Sequence, residues 1–263
     1  MRQPSYFISH GGGPWPWIDD MRAALAPLEQ SLAALPSELP EPPKAVLMIS
    51  GHWEAGEVRV MHSARPPMVY DYSNFPPHTY EISYPAPGAP ALAEETARLI
   101  AEAGLPVALD DTQGFDHGTF VPAFVMYPDA DVPIFQVSML QSYDPGEHVR
   151  LGRALAPLRD DGVVIVGSGL SYHNLRQFGP EARVPSEAFD AWLDETLALP
   201  ATDRTARLLD WESAPYARTC HAREDHLVPL FVALGAAEDA GATRVYHQEM
   251  VFGGVTASSW RFG

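Results

Sequence analysis

Tyr6-Phe7-Ile8-Ser9-His10-Gly11-Gly12-Gly13-Pro14 is a short apolar run that stops at a histidine and gives way to three glycines and a proline. A run cut off by such breakers reads as a buried strand that ends in a sharp loop. The glycines permit positive φ and let the backbone approach a ligand closely. His10 then stands at the carboxyl end of a strand, where α/β sheets place their chemistry. Taken alone, the stretch is equally a glycine-rich turn beside a surface histidine. The pattern recurs, however. Lys44-Ala45-Val46-Leu47-Met48-Ile49-Ser50-Gly51-His52-Trp53 is a second buried-type run that ends in Gly-His. Val163-Val164-Ile165-Val166-Gly167-Ser168-Gly169 is a third, followed closely by Tyr172-His173-Asn174. Three strands that each deliver a histidine to one edge of a sheet suggest a metal site.

The segments around these runs alternate in the same way. Residues 21–35 are rich in Ala and Leu and read as a helix that ends in a proline linker at 36–43. Residues 57–62 alternate as a half-buried strand. Residues 89–103 place Leu92, Thr96, Leu99, Ile100 and Ala103 on one helical face, with Gly104 as C-cap. Strands are expected over 106–109, 132–139, 243–250 and 255–262. Helices are expected over 120–127, 146–158, 185–199, 202–209 and 224–237. Strands alternating with helices predict a single α/β domain over residues 1–263, with a largely parallel central sheet and helices on both faces. Residues 66–90 form a long loop rich in Pro and Tyr. Such a loop in a compact domain is usually functional, and its rings either wall an aromatic pocket or pin the loop to the surface.

Composition narrows the function classes. With 17 basic residues against 34 acidic ones the net charge is −17, which disfavours nucleic acid and anionic membrane as partners. Cys220 is the sole cysteine, so an intrachain disulfide and a thiolate metal cluster are excluded, and a metal must be held by histidine and carboxylate. No apolar run approaches the roughly 20 residues that span a bilayer. The N-terminal segment lacks a basic region followed by a long apolar one, so no secretory leader is expected and the expected location is cytoplasmic.

Ten histidines are present. His62, His78, His148, His221 and His247 have no special sequence context and read as surface or structural residues. His10, His52 and His173 follow strands, His117 sits in Asp116-His117-Gly118, and His226 lies near the start of the 224–237 segment. There is no His-x-x-x-His pair, no Gly-x-Ser-x-Gly elbow, and no Walker or dinucleotide glycine pattern. The chain resembles the class III extradiol ring-cleavage dioxygenases of the LigB superfamily, in particular the DOPA-dioxygenase-type branch. The matching stretches are Ser9 to Pro14, Ser50 to Trp53, Tyr70-Asp71-Tyr72-Ser73-Asn74-Phe75-Pro76, Tyr84-Pro85-Ala86-Pro87-Gly88, Asp116-His117-Gly118, Gly167-Ser168-Gly169 with His173-Asn174, and Glu224-Asp225-His226-Leu227-Val228-Pro229-Leu230. They run in order over nearly the whole chain.

That resemblance implies His10, His52 and His226 as metal ligands, His173 as the catalytic histidine beside the metal or a fourth ligand, and His117 as a second catalytic histidine. It implies Fe(II) as the working metal, Zn(II) in protein purified aerobically, and O2 as co-substrate. The implied reaction opens a catechol-type aromatic to a muconic semialdehyde, with a small aromatic diol as partner. Protocatechuate-type relatives use two histidines and a glutamate, which makes Glu224 and Asp225 competitors of His226 for the third position. Two other readings are a zinc-dependent hydrolase on a similar scaffold and a non-catalytic metal-binding protein. The sequence leaves open whether the protein is a monomer or a homo-oligomer.

Overall fold

Three strands with no polar alternation make the centre of the sheet, as expected for strands buried on both faces. The computed structural model describes residues 1–263. Its strands are β1 (Ser5–Ser9), β2 (Ala45–Ser50), β3 (Glu54–Ala55), β4 (Val58–Met61), β5 (Val107–Asp110), β6 (Ile134–Gln136), β7 (Met139–Leu140), β8 (Val163–Gly169), β9 (Ala242–Val251) and β10 (Val255–Phe262). The helices are α1 (Asp19–Ala24), α2 (Ala26–Ala34), α3 (Pro90–Glu102), α4 (His117–Met126), α5 (Pro145–Leu155), α6 (Arg183–Leu197), α7 (Ala201–Leu209), α8 (Ala217–Cys220) and α9 (Val228–Ala236). The main sheet has the order β6-β2-β8-β1-β10-β9. β6, β2, β8 and β1 are parallel to one another, whereas β10 runs antiparallel to β1 and forms a hairpin with the half-exposed edge strand β9. Two short parallel ladders, β3 with β7 and β4 with β5, stand beside it. Together these elements form the mostly parallel α/β domain that the alternation predicts.

Alternation along β8 fixes which helices lie on which face. Gly167 meets the backbone of α9 at Pro229, and Gly169 that of the turn before it at His226. Ser168, between them, donates its hydroxyl to the carbonyl of Gly118 in α4. Successive residues of a strand point to opposite faces, so α9 and α4 cover opposite sides. The free carbonyl of Gly118 has a local cause. Pro122 lies inside α4 and has no N–H to bond back to it, and the strand-end serine takes its place. A second strand-end serine holds the start of the same helix. Ser50 Oγ donates to Asp116 Oδ1 (2.7 Å), which also caps the helix by accepting from the Thr119 N–H (3.0 Å).

Several element boundaries differ from the sequence expectation, each for a local reason. The 21–35 helix is two helices, because Pro27 cannot donate to the carbonyl of Ala23. The 132–139 strand breaks after Gln136, where Val137 bonds Met48 and Ser138 bonds Arg59, so β7 joins β3 outside the main sheet. The short helix expected from residue 120 begins at His117, under the Asp116 cap. The helix expected from residue 224 begins at Val228, where Pro229 suits a first turn. Residues 224–227 form a turn closed by the Leu227 and Val228 N–H groups on the Glu224 carbonyl. His226 therefore precedes the helix instead of riding on its face.

The approach of β8 to that turn leaves no room for a side chain at residue 169. A Cβ on Gly169 would fall on the His226 carbonyl oxygen, which accepts from the Leu170 N–H (3.0 Å). Gly169→Ala is expected to lower unfolding stability by about 1–3 kcal/mol, the range for overpacking. Gly241→Ala, where a Cβ meets nothing within 4 Å, should be near neutral. Urea denaturation of both variants checks the contrast, and equal midpoints would contradict it.

Candidate metal centre and active-site cavity

The carboxyl ends of β1, β2 and β8 and the turn before α9 meet at one cavity of about 700 Å³, lined by His10, His52, His117, His173 and His226. His10 follows β1, where its N–H bonds the Gly169 carbonyl (3.2 Å) and its own carbonyl accepts from Trp15 Nε1 (2.9 Å). Gly11 turns the chain away with φ +75, a conformation that glycine adopts without strain. His52 follows β2, His117 opens α4, and His226 lies in the 224–227 turn.

Coordinating atoms of His10, His52 and His226 all lie within 4.8 Å of one another. The Nε2 atoms of His52 and His226 are 3.1 Å apart. Two nitrogens each about 2.0–2.1 Å from one ion would stand roughly 3.0–3.4 Å apart, so this pair is spaced for a shared metal. His10 supplies an independent test. It is 1% exposed, and neither of its ring nitrogens has a hydrogen-bond partner. A buried imidazole without partners is unfavourable unless something else satisfies it, and a cation at the convergence point would do so. The residues present therefore fit a metal ion.

Two carboxylates organise the remaining nitrogens. Asp71 places Oδ2 3.2 Å from His52 Nδ1 and Oδ1 2.8 Å from His117 Nδ1, and also accepts from the His117 N–H (3.0 Å). Asp225 Oδ1 lies 3.4 Å from His173 Nδ1 and 3.2 Å from His226 Nδ1, neither contact aligned as a good hydrogen bond. A carboxylate at Nδ1 favours the proton on that nitrogen and leaves Nε2 with its lone pair. The rings of His173 and His226 stack at 3.5 Å between centroids. Glu224, by contrast, is held by Arg218 (2.5 Å) and does not line the cavity.

The electrostatics point the same way. Burial, reinforced by repulsion among neighbouring imidazoles, holds His10 and His52 well below the usual histidine range. Burial brings His226 down to about 4, against the opposing pull of Asp225. These rings are neutral near pH 7, the form that binds metals. Burial alone would raise both Asp71 and Asp225, but their histidine partners outweigh it and keep each carboxylate ionised. Asp116 is pushed up to about 6 by burial and then by the charge of Asp71.

All five histidines with a special sequence context thus come together, and the other five do not line this cavity. His148 and His221 are buried structural residues: His148 Nε2 accepts from the Leu140 N–H (3.0 Å), and His221 Nε2 faces the Ser171 carbonyl (3.1 Å). From the proline-rich loop, Tyr72 and Phe75 wall the cavity, while Tyr84 pins the loop through its hydroxyl on the Ala123 and Tyr127 carbonyls. Sequence reading gives Asp71 no role and treats Asp225 only as a rival ligand. The available signal was that each carboxylate belongs to a quoted motif, but pairing across 46 or 52 positions has no local pattern.

Residues 6–263 match the family model described as the catalytic LigB subunit of aromatic ring-opening dioxygenase. The chain is 36% identical over 263 residues to the 4,5-DOPA dioxygenase extradiol of Beta vulgaris, covering 98% of this chain and 96% of that protein. It is 33% identical over 240 residues to the 4,5-DOPA dioxygenase extradiol of Escherichia coli K12, covering 89% and 85%. Dioxygenase tasH of Hapsidospora irregularis is 36% identical over 265 residues, covering 94% and 82%. The crystal structure of an uncharacterized protein from Escherichia coli K12 superposes over 100% of both chains with a TM-score of 0.80 at 28% identity. The chain belongs to the LigB family of aromatic ring-opening dioxygenases. Members are metal-dependent, consistent with the donor set described above. No helix is long and apolar enough to cross a membrane.

The buried structural histidines make a pH prediction that does not depend on the metal. Burial lowers His148, and lowers His221 to about 3. Below about pH 6.5 the unfolded chain binds protons that these rings refuse in the fold. Stability therefore falls as pH drops through 6.5, and the loss from His221 continues to about 3. In metal-stripped protein the lowered His10, His52 and His226 add to the same trend, so the melting temperature should fall by on the order of 5 °C or more from pH 7 to pH 5. A flat melting temperature across that interval would contradict this account.

Proposed function

We propose that His10, His52 and His226 hold one ferrous ion and that the protein uses it with dioxygen to open a catechol-type ring, DOPA-like or related, to a muconic semialdehyde. Extradiol ring opening is the activity that the family and the relatives over nearly the whole chain support. The zinc-hydrolase alternative is not favoured, because those relatives are dioxygenases. The observation that carries the ligand assignment is the convergence of three neutral imidazoles, His10 and His226 buried and His52 half-buried, one with both nitrogens unpartnered and two with Nε2 atoms 3.1 Å apart. A metal with three imidazole ligands keeps open positions for both catechol oxygens and dioxygen.

The chain's own groups then handle protons and position. His173, held through Nδ1 by Asp225, offers Nε2 to take a proton from a catechol hydroxyl and to return one later. His117, hydrogen-bonded through Nδ1 to Asp71 (2.8 Å), is the second such group. Imidazole is the side chain suited to moving protons near neutral pH. Tyr72 and Phe75 border the ring's position in the cavity. Zn(II) would occupy the same nitrogens in aerobically purified protein without supporting turnover.

Protein reconstituted anaerobically with Fe(II) should turn a catechol yellow on admission of oxygen, as the semialdehyde forms. His173→Ala should cut turnover on the order of 10²-fold or more while metal content stays near stoichiometric. His226→Ala should strip the metal, and Glu224→Gln should retain it. Metal loss in the His173 variant would move that residue into the ligand set. Equal retention in the 226 and 224 variants would remove His226 from it.

A further inference from the structure

The cavity is far larger than its histidine end requires. A single ring with two hydroxyls fills a minor part of about 700 Å³, a volume within the range of sites for drug-sized ligands. Away from the histidines its wall is formed by Leu25, Val251, Val255 and Phe252, and at the mouth by Leu175 and Phe178. Leu175 is 72% exposed and Phe178 39%, and Phe178 packs against Phe252 at 5.6 Å between ring centroids. Large exposed apolar side chains at the rim of a cavity mark a surface that meets an apolar ligand.

No arginine or lysine lines this cavity, whereas two carboxylates, Asp71 and Asp225, do. The only lysine, Lys44, begins the run into β2 and so lies at the opposite end of the sheet from the histidines. Arg176 falls between Leu175 and Phe178 in sequence, but it is exposed and is not part of the wall. The tyrosine hydroxyls of the wall are also engaged. The hydroxyl of Tyr72 donates to the Thr79 carbonyl (2.5 Å), that of Tyr172 to the Gln177 carbonyl, and that of Tyr246 to Gln248 Oε1 (2.9 Å). A carboxylate on a side chain extended away from the histidine end, toward Leu25, Val251, Phe252 and Val255, would enter an apolar space with no cation to meet it, which is costly. The net charge of −17 adds a field of the wrong sign for an anionic substrate.

We propose that the preferred substrates are catechols with an uncharged, extended apolar side chain, held by Val251, Phe252, Val255, Leu175 and Phe178, and that side chains bearing a carboxylate are discriminated against. This rests on the ring-opening reading for the position of the diol. It departs from the amino-acid substrate in the names of several relatives, since a zwitterionic side chain meets the same unpartnered wall.

Equilibrium binding separates the two readings. Anaerobic calorimetry on the Fe(II)-loaded protein would compare 4-isopentylcatechol with 3-(3,4-dihydroxyphenyl)propanoate, which carries a carboxylate in place of the terminal isopropyl group. A second series would lengthen the chain from 4-methyl- through 4-propyl- to 4-pentylcatechol. The isopentyl compound should bind at least tenfold more tightly than the propanoate, and affinity should rise by up to about fourfold per added methylene. A ratio below ten, or a flat series, would overturn the proposal and point to the backbone amides of Gly11 to Gly13, which also line the cavity, as an anion receptor. Admitting oxygen then tests the other reading by itself. Tight binding of the isopentyl compound without a yellow product would sink the ring-opening assignment and leave the side-chain preference standing.

Discussion

Asp71 and Asp225 each stand between two imidazoles, and the order of the active-site cavity depends on those two contacts. Each carboxylate meets one histidine of the proposed ligand set and one of the proposed proton-transfer pair, through Nδ1 in every case. A neutral imidazole can present its lone pair from either nitrogen, and a carboxylate at Nδ1 settles which. In His117 the hydrogen bond to Asp71 leaves Nε2 as the reactive nitrogen, and the nearby carboxylates favour the same tautomer in His52, His173 and His226. The same contacts keep two negative charges beside a cluster that burial would otherwise make hard to load with a cation. Loss of such partners typically weakens metal sites 10–100-fold.

Rigid elements deliver these side chains. His10 and His52 leave the sheet where β1 and β2 end, two strands separated only by β8. His226 is fixed because its carbonyl rests on Gly169 at the end of β8. His117 is fixed because α4 is tethered at its first turn by Ser50 and Ser168, from the neighbouring strands β2 and β8. Sites built on strand ends and helix starts hold their geometry better than sites on free loops. The apolar mouth of the cavity is instead built from the 174–178 loop and the β9–β10 hairpin, where Met250 and Phe252 take positive φ.

The fold was legible because its central strands are continuous apolar runs bounded by glycine and histidine, a pattern that depends only on neighbouring residues. The convergence of His10, His52, His117, His173 and His226 was legible for the same reason, since four of them sit at element ends that the sequence marks. What was not legible depends on contacts between distant residues. The break after Gln136 comes from bonds to Met48 and Arg59. The start of α9 at Val228 reflects one proline, and it overturns the picture of Glu224, Asp225 and His226 fanning around a helix. Glu224 is drawn away by Arg218 and Asp225 turned inward to two histidines, a division between adjacent acids that no spacing rule predicts.

The central claim is that one metal sits on His10, His52 and His226, with both carboxylates outside its coordination sphere. Anomalous diffraction at the zinc edge from crystals of zinc-loaded protein tests it directly. The account predicts a single peak about 2.0–2.1 Å from one ring nitrogen of each histidine, on Nε2 for His52 and His226. A peak coordinated by Asp225 and His173, or by Asp71 and His117, would contradict it.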